Sequence, residues 1–136
     1  MDNKMKKHPE AEQMRESGEM YLETILVLGK EKNKVRAIDI CDRMDYSKAS
    51  VSRALVKLKN DACIIVDAYG SIALTEKGRQ IAEKIYERHQ VLSCMLMALG
   101  VDEKTATDDA CKMEHDISDV SFAAIKKHLR ERGADI

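Results

Sequence analysis

The order of hydrophobic patterns between Val35 and Leu74 leaves few folds open. Val35 to Met44 reads as a short helical piece carrying Ile38, Ile40, Cys41 and Met44, and Asp45-Tyr46-Ser47 follows as a polar turn. From Lys48 to Asn60 the residues Val51, Ala54, Leu55 and Leu58 form an apolar stripe of helical period, while Ser50, Arg53 and Lys57 lie elsewhere on the helix. Two short helices, a tight turn and a basic second helix predict a helix-turn-helix, with Ser47 as N-cap. Cys63–Val66 and Ser71–Leu74 then flank Asp67-Ala68-Tyr69-Gly70, two β-prone segments around a glycine-containing turn. That is a hairpin of the size of a wing.

The flanking sequence is helical. Residues 1–10, with Lys4, Lys6, Lys7, His8 and Pro9, read as a flexible polar lead-in that becomes helical only after the proline. From Ala11 to about Lys30 the apolar positions Met14, Met20, Tyr21, Ile25 and Leu28, broadened by Leu22 and Leu26, fit an amphipathic helix ending near Gly29. After the hairpin, Thr75-Glu76-Lys77-Gly78 opens a long helix, with Thr75 as N-cap, that runs through Ile81, Ala82, Ile85, Tyr86 and His89 to Leu99. Gly100 stops it. Asp102 to Asp116 and Ser118 to Arg132 supply two more helices, the last with Val120, Phe122, Ile125 and Leu129.

Composition narrows the function classes. With 136 residues, 44% of them hydrophobic, the chain can bury a core. Its net charge of -1 hides a local asymmetry, because Ser47 through Asn60 carries Lys48, Arg53, Lys57 and Lys59 and no acidic residue. Any nucleic-acid contact is therefore local. Hydroxyls at Ser47, Ser50 and Ser52 and the chain around Lys48 suit phosphates. Lys48, Ala49, Ser50 and Arg53, near the helix start, are the candidates for base edges, and Lys57 adds a further cation. Tyr69 and Gly70 would sit at the wing tip near the backbone or minor groove; an ordinary exposed turn aromatic is the other reading of Tyr69. Cys41, Cys63, Cys94 and Cys111 form no C-x-x-C pair, and no secretory signal or membrane-length apolar run is visible. The expectation is a cytoplasmic chain with reduced thiols.

The run Asp108-Asp109-Ala110-Cys111-Lys112-Met113-Glu114-His115 carries the most chemistry. Cys111, Glu114 and His115 recur at i, i+3 and i+4, so on a helix they share a face. A soft sulfur, a hard oxygen and a borderline nitrogen suit a divalent transition metal. The other reading of the string is a half-buried cysteine beside two surface polar residues.

Four stretches in order then carry a resemblance: Glu19-Met20-Tyr21-Leu22-Glu23, Leu74-Thr75-Glu76-Lys77-Gly78, Arg88-His89, and Ala110 through Ser118. Together with the winged helix-turn-helix they resemble the metal-dependent repressors of the diphtheria toxin repressor and manganese transport regulator family. The resemblance implies a mainly α fold: a winged helix-turn-helix DNA-binding domain over 11–78, then an all-helical metal-binding and dimerisation domain over 79–136. It implies metal ligands at Met20, Glu23, His89, Cys111, Glu114 and His115. For these residues taken alone, a core methionine, a solvated carboxylate and a surface or capping histidine remain open at Met20, Glu23 and His89. The pattern mixes two subtypes. Met20 with Cys111, Glu114 and His115 is similar to the primary site of the iron-sensing type, and Glu23 with His89 to the second ion position of the manganese type. The iron type's other site draws on positions that here read Ser93 and Thr107. Sulfur at Met20 and Cys111 favours Fe2+ first and Mn2+ second. Many family members carry a third, SH3-like domain; ending at Ile136, this chain is expected to be a short form without it.

The expected mechanism is a homodimer on an inverted-repeat DNA operator, with metal selecting the DNA-competent geometry. The expected dimer surface is Val91, Leu92, Met95, Leu96 and Leu99 with Ile117, Val120, Phe122 and Ile125, unless these close the subunit's own core. Repression of metal-homeostasis genes follows by analogy. The alternative is a winged-helix regulator that responds to thiol oxidation at Cys94 and Cys111, or to a small ligand, rather than to metal. With no glycine-rich phosphate loop and no H-E-x-x-H motif, the chain is not expected to be an enzyme.

Overall fold

The protein is described by a computed structural model over residues 9–136, with side chains from residue 15 onward. Residues 1–8 of the expected lead-in, and the side chain of Met14, lie outside the described residues. The chain forms α1 (Pro9–Glu31), α2 (Ala37–Met44), α3 (Lys48–Asn60), β1 (Ile64–Val66), β2 (Ile72–Leu74), α4 (Glu76–Ala98), α5 (Glu103–Met113) and α6 (Asp119–Glu131). It divides into two compact units, one ending at Glu83 and the other Lys84–Ile136. Among the described residues no helix is long and apolar enough to cross a membrane.

In the first unit α1 starts at Pro9 itself, not after it, because proline's fixed φ suits a first helical position whose N–H has no partner anyway. Tyr21, Leu22, Ile25, Leu26 and Leu28 are buried, as the stripe required, and form the core with Ile40, Val51, Leu58, Ile64 and Ile72. The second helix begins two residues later than expected. Val35 is buried and bridges Ile72 antiparallel, its carbonyl accepting the Ile72 N–H at 2.8 Å. That β-bridge, a contact spanning 37 positions, outweighs the local helical pattern. Asp45 ends α2 in the left-handed region (φ 56°), and Ser47 caps α3, its Oγ accepting the Ser50 N–H at 3.1 Å.

The hairpin pairs Ile64 with Leu74, Ile65 with Ala73 and Val66 with Ile72. Its turn is organised by Asp67, whose Oδ1 accepts the N–H groups of Tyr69 and Ser71, each at 2.9 Å. Those two backbone donors hold the Asp67 carboxyl below its ordinary pKa, that of Ser71 most.

The Leu74–Gly78 stretch has a physical reading. Thr75 Oγ1 accepts the Gly78 N–H at 3.1 Å and donates to the Ala62 carbonyl at 2.7 Å, so it caps α4 and ties it to the end of α3. A Cβ at Gly78 would stand 2.0 Å from the Cys63 carbonyl oxygen, which itself accepts the Thr75 N–H. Only glycine allows this approach.

In the second unit Val91, Phe122 and Leu129 are buried together, with Met95, Ile117, Ile125, Ala134 and Ile136 packed on them. Val91, Leu92 and Phe122, expected on a dimer surface, are therefore core residues of the subunit. The apolar side chains left outside are Met97, Leu99 (74% exposed) and Val120 (82%). α5 ends at Met113, three residues short of the expected end; Glu114 keeps helical angles and its N–H reaches the Ala110 carbonyl at 3.0 Å. Ser118 caps α6 through the Ser121 N–H.

Gly78→Ala is expected to destabilise the protein by about 1–3 kcal/mol or more through overpacking. Thr75→Ala is expected to cost ~1 kcal/mol as a lost cap. Thermal melts rank the two; a Gly78→Ala protein melting with the wild type would refute the close approach.

Candidate metal centre and nucleic-acid interface

The second unit brings three donors of different hardness to one place. His89, on α4, Cys111, on the last turn of α5, and Glu114, which caps α5, offer ligand atoms that all lie within 4.8 Å of one another. The His89 Nδ1 is 3.0 Å from Glu114 Oε2 and 3.7 Å from Cys111 Sγ, so the same ring nitrogen faces both. Glu114 is only 1% exposed. Its Oε1 accepts no hydrogen bond among the described residues and lies 3.5 Å from Nε2 of the buried His115. Cys111, by contrast, is exposed.

A buried carboxylate needs a positive partner. His89 is that partner, its Nδ1 facing Glu114 Oε2. The Cys111 sulfur and the Glu114 carboxylate hold its imidazolium, pushing its pKa up to about 10 against the opposing effect of burial. The Glu114 oxygen that accepts no hydrogen bond, beside an imidazole, and a thiol on the same face make a donor set that fits a divalent transition metal.

Met20 and Glu23 belong to the first unit. They stand three residues apart on α1, both half-buried, and Thr24 Oγ1 donates to the Met20 carbonyl at 2.8 Å. Ser93 is buried on α4 and Thr107 half-buried on α5.

On α3 the buried side is Val51 and Leu58, with Ala54 and Leu55 half-buried. Helical geometry turns Ala49, Ser52, Arg53 and Val56 to the other side, and all four are exposed. Ser47, Lys48 and Lys57 are exposed too. Ser50 is half-buried and belongs to the cap: its Oγ accepts from Ser47 Oγ at 3.0 Å and from Arg53 Nη2 at 3.5 Å. Lys57 Nζ is 3.3 Å from Asp61. Tyr69 is 79% exposed at the hairpin turn. The sequence reading passed over Val56, 59% exposed in the middle of the open face. The signal was available, since Val56 falls outside the apolar stripe.

Comparison with known proteins gives the class. The family described as "Iron dependent repressor, N-terminal DNA binding domain" matches residues 13–72, and "Iron dependent repressor, metal binding and dimerisation domain" matches residues 75–135. An uncharacterised HTH-type transcriptional regulator of Methanocaldococcus jannaschii is 35% identical over 115 residues, covering 83% of this chain and 92% of that protein. The HTH-type transcriptional regulator MntR of Bacillus pumilus is 35% identical over 102 residues, covering 75% and 71%. Among solved structures, the manganese regulator SloR superposes with a TM-score of 0.76 at 28% identity. A manganese-dependent transcriptional repressor in complex with manganese gives 0.76 at 27%. Each covers 83% of this chain, which spans about half the length of those two chains, 53% and 52%. The chain belongs to the iron-dependent repressor family of metal-dependent transcriptional regulators, whose members bind DNA, bind divalent metal and dimerise.

Two outcomes follow for the metal-free protein. The His89 imidazole, followed by NMR, is expected to remain protonated from pH 6 to pH 8, and Glu114→Gln to move its titration toward the ordinary value of 6.5. Because the folded pKa is raised, the pair's stabilisation is complete below that ordinary value and is lost as pH rises through about 10. A His89 that titrates near 6.5 in the wild type would show that the cluster does not form.

Proposed function

We propose that this chain is a metal-activated repressor that binds an inverted-repeat operator as a homodimer and controls metal-homeostasis genes in the cytoplasm. The observation that carries the reading is the His89–Cys111–Glu114 donor cluster, in a chain whose other unit is a winged helix-turn-helix. His115 joins these ligands from beside Glu114. Met20 and Glu23 are proposed as further ligands on the family resemblance and their donor chemistry. A bound divalent ion would supply, beside Glu114, the positive charge that protonated His89 otherwise provides.

Fe2+ is the favoured ion and Mn2+ the second. The cluster contains a cysteine sulfur, and the proposed Met20 adds a thioether; both are softer than the oxygen sites Mn2+ prefers. The manganese-linked names among the relatives keep Mn2+ in the comparison. The chain acts by binding rather than by catalysis, in line with its regulator relatives.

On DNA, Ser47, Ser50 and Ser52 with Lys48 and Lys57 serve phosphates, Ala49 and Arg53 with Lys48 face base edges, and Tyr69 reaches the backbone from the wing. The dimer contact is assigned to exposed Met97, Leu99 and Val120 in place of the buried Val91, Leu92 and Phe122. Family membership supports a dimer.

The test is fluorescence anisotropy of reduced, anaerobic apo-protein on DNA from upstream of its own gene, titrated with Fe2+ and separately with Mn2+ at fixed salt and pH. Tight binding only with metal is expected, with Fe2+ acting at lower concentration. Glu114→Ala abolishes activation while the fold persists, and Arg53→Ala costs about 1–3 kcal/mol of operator affinity. Equal binding with chelator present sinks the reading. The exposed Cys111 thiol favours one rival, a thiol-responsive regulator, whose DNA binding survives chelation and changes with oxidant.

A further inference from the structure

Next to His89 on α4 stands an arginine that the metal reading leaves without a task. Arg88 is 5% exposed, a degree of burial that a guanidinium tolerates only with dedicated partners. Its partners are specific. Nη1 donates to the carbonyl of Glu114 at 3.2 Å and to that of Ile117 at 2.5 Å. Nη2 donates to Asp119 Oδ1 at 2.5 Å, and the guanidinium carbon sits 5.4 Å from the centre of the Phe122 ring.

Glu114 and Ile117 bracket the turn between α5 and α6, so one planar group holds both ends of the segment that bears Glu114 and His115. The Glu114 carbonyl belongs to the C-cap of α5, where backbone oxygens lack helical partners and cationic donors are favoured, and the Ile117 carbonyl directly precedes the α6 N-cap Ser118. Asp119 starts α6, where a carboxylate is favoured. Lys84 also reaches Asp119, at 3.1 Å.

We propose that Arg88 is a positioning residue for the metal centre: without touching the ion, it sets the backbone of the 114–117 turn and so aims the Glu114 carboxylate and His115. The proposal rests on the metal reading above. Arg88 acts through geometry, because a rigid planar guanidinium serves two carbonyls through Nη1 and a carboxylate through Nη2 at once, which a lysine ammonium on a flexible stem does not reproduce.

The experiment compares wild type, Arg88→Lys, Arg88→Met and Lys84→Met under anaerobic conditions. Each reduced apo-protein is melted, then titrated with Co2+ while the thiolate-to-cobalt absorption from Cys111 and the visible ligand-field bands are recorded. Lys84→Met removes a cation from Asp119 but leaves the turn carbonyls untouched. Expected are a wild-type cobalt site, unchanged binding and bands in Lys84→Met, and Co2+ affinity weakened by about 10-fold in Arg88→Lys and about 100-fold in Arg88→Met, with altered bands. If Arg88→Met does not fold, Arg88→Lys carries the comparison. Arg88 variants that melt lower yet bind Co2+ with wild-type affinity and spectrum would make Arg88 a core residue only and overturn the proposal. An equal loss in Lys84→Met would also overturn it, assigning the effect to the Asp119 ion pair. No thiolate-to-cobalt band in the wild type would instead refute the metal reading beneath it.

Discussion

A carboxylate that is 1% exposed sets the terms for the second unit. Moving Glu114 out of water costs several kcal/mol unless positive charge and hydrogen bonds replace its hydration. The surroundings are arranged accordingly. Oε2 faces the His89 imidazole, Oε1 faces His115, and the residue's own carbonyl is held by Arg88. Remove the carboxylate and a histidine held charged to about pH 10 loses one of the two groups that hold it there. The imidazole and the carboxylate therefore depend on each other.

Much of this was legible in the sequence because the controlling interactions are local. The i, i+3 spacing of Cys111 and Glu114 keeps its meaning although α5 stops at Met113, since Glu114 retains helical angles and bonds to Ala110. Ser47, Thr75 and Ser118 cap their helices through donors three residues on. What local pattern could not show was long-range. Val35 carries a helical pattern but spends its carbonyl on Ile72, and nothing within ten residues announces that bridge. Val91 and Phe122 read equally well as a dimer face or a core, because an apolar stripe says that something covers it and not what. Arg88 was visible only as a neighbour of His89. Its hydrogen-bond partners lie 26 to 31 residues away.

The end of α5 gathers cations for a reason that precedes any ligand. A helix C-terminus carries roughly half a negative charge from its unsatisfied carbonyls. Glu114 adds a full one, and Arg88 and protonated His89 answer both. A divalent ion entering the same place would meet a field already suited to positive charge, but it would have to displace the proton on the His89 Nδ1, the nitrogen that faces both other donors. At the proposed site, metal and proton would therefore compete for one atom, and occupancy would depend on pH.

The donors also differ in how water reaches them. Glu114 and His115 are buried while Cys111 is exposed, so the sulfur forms the outer edge of the cluster. At the proposed site the softest donor is thus also the one most open to solvent. The same exposure admits oxidants, which attack the thiolate that a metal requires. At the proposed site, metal binding and oxidation would both fall on the Cys111 sulfur. Binding of an ion at that sulfur would shield it, because a thiolate engaged as a ligand has less electron density to give to an oxidant.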